Sequence, residues 1–122
     1  MEDKLRQIDI ENKIWIIYIG IIILSWYSNY LEKDYFLNNN KNSKDSYQRI
    51  IIIIFAILVV VYFYFLQSSY KDLKNIKPED TDEKKLLIYL SFVGSLFVFL
   101  SGLIFLYIAL NNENLDVELA FN

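Results

Sequence analysis

The chain contains no cysteine and no histidine. That removes disulfides, a thiol nucleophile, thiolate metal ligation and imidazole general base chemistry together. Glycine occurs only at Gly20, Gly94 and Gly102, each inside an apolar run, so no glycine-rich phosphate loop or nucleophile elbow can form. Proline occurs once, at Pro78. The deepest gap is in charge. Residues 14–31, 50–70 and 86–110 contain no Asp, Glu, Lys or Arg. Proton- and cation-coupled transporters carry an ionisable group at bilayer depth, and intramembrane proteases need an Asp pair or a Ser–His pair there. Neither is present. The net charge of −3 gives no basis for nucleic-acid binding.

What is present is apolar and gathered in blocks. Hydrophobic residues make up 55% of the 122 positions, and they fall in three runs rather than in periods of two or 3.6. At 1.5 Å per residue the runs reach about 27, 31 and 37 Å, against a hydrocarbon core of about 30 Å. The second run, IIIIIFAILVVVYFYFLQSSY, has the propensity of a strand. A lone strand in hydrocarbon leaves its amides unpaired, whereas a helix bonds them internally, and a barrel strand would alternate in polarity. The sequence therefore predicts an all-α integral membrane protein: three transmembrane helices in an up-down-up bundle, one domain over 1–122, with a short tail at 111–122. The first run is read as a retained span and not a cleaved leader. Trp26, Tyr27, Asn29 and Tyr30 follow its apolar part, where a signal peptidase needs small residues. Those rings and Trp15 suit headgroup depth.

Between the runs the chain is polar. Residues 1–13 read as a solvated leader continuous with the first span, with Leu5 and Ile8 as the alternative, membrane-surface face. Residues 32–48 read as a mobile loop, centred on the Asn- and Lys-rich stretch 38–46. In the second connection, 71–85, the Lys77–Pro78 step stops the second helix. The third helix starts at Pro78 or Thr81, with Glu79, Asp80, Asp82 and Glu83 complementing its positive end. Those acids match no calcium-loop spacing. Basic residues decide orientation: eight lie in the leader and second connection against four in the first connection. A cytoplasmic N-terminus and an external C-terminus are expected.

The most specific pattern is on the third run. Ser91, Gly94, Ser95, Ser101 and Gly102 recur at offsets of three, four and seven, while Leu96, Phe97, Leu100, Leu103 and Ile104 lie largely elsewhere. Small residues let helix backbones approach closely, so this is read as a helix-packing stripe, and leucine at Gly94 or Gly102 is expected to disrupt it. The tail, NNENLDVELAFN, ends in apolar residues; Leu115, Val117, Leu119 and Phe121 are the candidate docking positions for a partner.

Ile, Asn, Lys, Tyr and Phe are abundant while Gly, Pro, Ala and Arg are scarce, as AT-rich codons encode. With this composition, the three-span layout and the ending GLIFLYIALNNENLDVELAFN, the chain resembles small uncharacterised membrane proteins of AT-rich Gram-positive bacteria such as clostridia. That resemblance implies no activity, cofactor or site residue. The functional expectation is a non-enzymatic structural or accessory membrane protein, with no catalytic, cofactor or metal residues. It would act through helix packing and its tail on the lipid bilayer, on another membrane protein or on itself. The alternatives are a holin-like pore-forming oligomer and a membrane immunity or stress protein.

Overall fold

A computed structural model describes residues 2–111 of the chain. They form three helices, α1 (Glu2–Asn38), α2 (Lys41–Lys74) and α3 (Asp82–Asn111), and no strand occurs among the described residues. Each helix is long and apolar enough to cross a membrane. The all-α, three-span class expected from the ion-free runs is what the chain adopts, and the Ile/Val-rich run of α2 is helical throughout. The protein is a multi-pass membrane protein. Its helices are longer than the expected spans at 14–31, 50–70 and 86–110. With 37, 34 and 30 residues they carry their charged flanks as helix. The leader is likewise continuous with α1, and Leu5 and Ile8 on it are exposed.

The expected loop at 32–48 is the largest departure. Only Asn39 and Asn40 lie outside helix there. Both asparagines have a local job. Asn39 takes a left-handed backbone with φ of 53°, and its N–H bonds to the Tyr35 carbonyl at 2.8 Å, closing α1 in the manner usual for Asn or Gly. Asn40 then caps α2: its Oδ1 accepts from the amides of Asn42 (3.0 Å) and Ser43 (3.4 Å). Asp34 fastens the two ends together. Its carboxylate accepts from Ser43 Oγ at 2.6 Å, Asn38 Nδ2 at 2.7 Å and Asn40 Nδ2 at 3.1 Å. Lys44 lies over the Tyr35 ring, 5.4 Å from its centre.

The second connection is a capped turn. Asp80 N–H bonds to the Lys77 carbonyl at 3.0 Å, making a β-turn with Pro78 at its second position. Lys77 N–H donates to Asp80 Oδ2 at 2.9 Å. Thr81, not Pro78, is the cap of α3: its Oγ1 accepts from Lys84 N–H at 3.1 Å. The Lys84 ammonium pairs with Asp80 across 3.2 Å. The Lys77 amide first, and then Lys84, hold the Asp80 carboxyl below its usual value.

The chain divides into two compact units. One holds α1 with α2 as far as Ile54, the other α2 from Phe55 together with α3. In the first, Ile14, Ile21, Ser28 and Leu31 of α1 are buried at steps of seven, seven and three, so they share one face. Ser43, Tyr47, Ile51 and Ile54 of α2 are buried at steps of four, four and three. The Tyr35 and Tyr47 rings meet at 6.2 Å. In the second unit α2 and α3 are antiparallel, as three ring pairs show: Phe55 with Phe105 at 5.7 Å, Phe63 with Phe99 at 5.6 Å and Tyr70 with Phe92 at 6.0 Å. The packed face of α3 runs through Ile88, Phe92, Ser95, Phe99, Gly102, Leu106 and Ala109, alternating steps of four and three. That is the seam spacing of paired helices. Ile16, Ile22 and Ile23 of α1 and Phe97 and Ile104 of α3 are exposed, a surface that water would penalise and lipid tails accept.

Candidate functional site

The small-residue stripe on α3 divides in two. Gly102 is buried, and a Cβ built on it would lie 3.0 Å from Tyr62 Cδ2 and 3.4 Å from Val59 Cγ2. The Tyr62 ring occupies the space that a side chain at position 102 would need. Seven residues earlier, Ser95 Oγ meets Ser69 Oγ at 2.9 Å. Ser69 is 8% exposed, so this hydroxyl pair sits inside the α2–α3 contact of the second unit. Ser95 and Gly102 thus face α2. Ser91, Gly94 and Ser101 are exposed, and the space around Gly94 is open to 4 Å. The two glycines differ in circumstance: one is fitted against a ring, the other is bare. The docking positions Leu115, Val117, Leu119 and Phe121 lie outside the described residues.

Ser69 is the contact that reasoning on α3 alone passed over. It belongs to the QSSY end of the second run, where two adjacent hydroxyls follow an otherwise apolar stretch. Tyr62 was visible only as one of four consecutive rings, 62–65. The structure separates their roles. Tyr62 lies against Gly102, Phe63 against Phe99, and Tyr64 and Phe65 meet each other at 5.5 Å.

The polar inventory at depth is neutral. On α1, Ser28 is fully buried and its Oγ has no hydrogen-bond partner; the Oγ of Ser25, one turn earlier on the same face, is in the same state. A helical serine can turn its hydroxyl to the carbonyl four residues back, so such groups are tolerated in a span. Trp26, Tyr27 and Tyr30 stand out from α1 at the far end of its apolar stretch, with the Tyr27 and Tyr30 rings stacked at 6.5 Å. Exposed rings at the end of an apolar stretch suit headgroup depth. Among the described residues no group of three or more Asp or Glu side chains is arranged to hold a metal ion. What the arrangement can do chemically is pack: a seam of rings and small residues on one side of α3, and bare small residues on another. No protein-family model, no curated protein and no solved structure matches this chain, so its reading rests on the geometry above.

Proposed function

We propose that this is a non-enzymatic structural or accessory subunit of a membrane assembly, acting through lateral helix packing and its C-terminal segment. One observation carries the reading. α3 already packs on α2 through Ser95 and Gly102, yet Gly94 and Ser101 remain exposed, with nothing within 4 Å of a Cβ built on Gly94. A second helix can approach such a surface closely and gain dispersion contacts that larger side chains would prevent. The neutral polar inventory of the spans supports a non-enzymatic role. The basic residues, eight against four, support a cytoplasmic N-terminus and an external C-terminus.

Affinity purification from the native membrane tests the reading. The full chain retains a second membrane polypeptide. Gly94→Leu, or deletion of residues 115–122, releases that polypeptide while helicity stays unchanged. Retention by both variants overturns the reading.

A further inference from the structure

Where α2 ends and α3 begins, within the second unit, lies an open groove of ≈ 430 Å³. That is within the range of about 300–1,000 Å³ typical of small-molecule sites. Its lining changes character along α3. Asp72, Thr81, Glu83 and Lys84 form its charged and polar end, and Leu87 and Ile88, with the small Ser91, form the end inside the ion-free run. The change falls at Lys85–Leu86, where the ion-free run begins. One end therefore belongs to the headgroup region and the other to the hydrocarbon. An occupant has to be amphiphilic, and the surrounding leaflet supplies it by lateral diffusion.

The charges narrow its chemistry. Asp72 and Glu83 are both exposed, and neither takes part in an ion pair among the described residues. Two carboxylates are thus open to a cation. Lys84 gives one donor to Asp80 and keeps two more. Thr81 Oγ1 accepts from the Lys84 amide, which leaves its hydroxyl proton free to donate. The groove offers acceptors for a cation beside donors for an anion.

We propose that this groove seats the headgroup of a zwitterionic phospholipid bearing a primary amine. The lipid ammonium bonds to Asp72 and Glu83, the phosphate meets Lys84 and Thr81, and an acyl chain follows Leu87, Ile88 and Ser91. A primary ammonium donates three charge-assisted hydrogen bonds to carboxylates, which a quaternary ammonium cannot. A phosphoglycerol headgroup brings a negative charge to the two carboxylates and no cation to offset it. The inference rests on the groove and on the membrane spans, not on the accessory role, so the two fail separately.

Competition among lipids tests it. Full-length protein is placed in nanodiscs of equal phosphoethanolamine, phosphocholine and phosphoglycerol lipid with identical acyl chains. Lipids that remain bound are then counted by native mass spectrometry. The expected result is enrichment of the primary-amine lipid over each competitor by about fivefold or more, the size of one or two added charge-assisted bonds. Asp72→Asn with Glu83→Gln brings the ratio to about one, while Glu79→Gln, outside the groove lining, leaves it as in the parent. Equal retention of the three lipids by the parent chain overturns the proposal, and so does a double variant that keeps the enrichment. The parent competition decides the question even if the double variant fails to fold.

Discussion

Leucine at Gly102 and leucine at Gly94 are the same substitution on the same helix, eight residues apart, yet they should differ sharply. At Gly102 the first added carbon arrives 3.0 Å from the Tyr62 ring and 3.4 Å from Val59. The ring must move before the rest of the side chain is placed. Overpacking of this kind costs about 1–3 kcal/mol. Replacing glycine within a helix returns up to about 1 kcal/mol. A leucine reaches further than its Cβ, so the upper part of the range applies, and the net expectation is a loss of about 2 kcal/mol, roughly 30-fold in the unfolding equilibrium. At Gly94 no atom lies within 4 Å, so the helix gain stands alone and stability holds or rises by up to about 1 kcal/mol. The cysteine-free chain suits spin labelling. With labels at Gln67→Cys on α2 and Val98→Cys on α3, both exposed positions, the distance distribution reads the helix pair directly. Gly102→Leu should broaden or lengthen it and lower the midpoint of denaturation by dodecyl sulfate. Gly94→Leu should leave both in place. Equal effects of the two substitutions, or no effect at Gly102, would refute the assignment of α3's packed side.

The Ser69–Ser95 pair should show a coupling of about 0.6 kcal/mol in a double-mutant cycle of alanine substitutions, the usual size for such bonds in membranes; strictly additive single effects would show that the bond contributes nothing. Asp34→Ala removes the acceptor of Ser43, Asn38 and Asn40, so amides 39–44 should exchange faster with solvent while the spans stay protected. Unchanged exchange there would mean that the Asn39 and Asn40 caps hold the connection unaided. Asp80 gives a pH signature. Its folded pKa is lowered, so its contribution to the turn is complete above the ordinary Asp value of 3.8 and is lost as pH falls through the lower folded value. The Lys77 amide resonance should titrate below 3.8, and Asp80→Asn should abolish that titration; a midpoint above 3.8 contradicts the bonded geometry.

How much of this was legible in the sequence differs by element. The spans were, because an absence of charge over 18 or more residues has one common cause, and hydrocarbon leaves helix as the answer even for an Ile/Val run. The first connection was not. Its Asn- and Lys-rich composition matches that of unstructured segments, and composition does not register that one asparagine closes a helix while the next opens another. The fastening contact joins Asp34 to Ser43, nine residues apart and outside any helical period. At the second connection both start signals were visible, and Thr81 prevailed because Pro78 serves the turn before it. The packed side of α3 was legible only in part. In water, burial separates apolar from polar residues, but in lipid both sides of a helix are apolar and hydropathy carries no direction. Size was the remaining cue. It marked Ser95 and Gly102, which pack on α2, together with Ser91, Gly94 and Ser101, which are exposed. The large members of the seam, Phe92 and Phe99, carried no such mark because their ring partners lie on another helix. The groove at Asp72 and Glu83 had no linear signal at all, since its walls come from both sides of the second connection.

In the proposed role this chain works as part of a larger membrane assembly. Native mass spectrometry on protein released gently from its own membrane, at its natural level, tests that most directly. The account predicts a complex in which the 14.6 kDa chain is held with a different membrane polypeptide, and in which Gly94→Leu frees the chain without unfolding it. A lone 14.6 kDa species, or an assembly of this chain with itself alone, would contradict it.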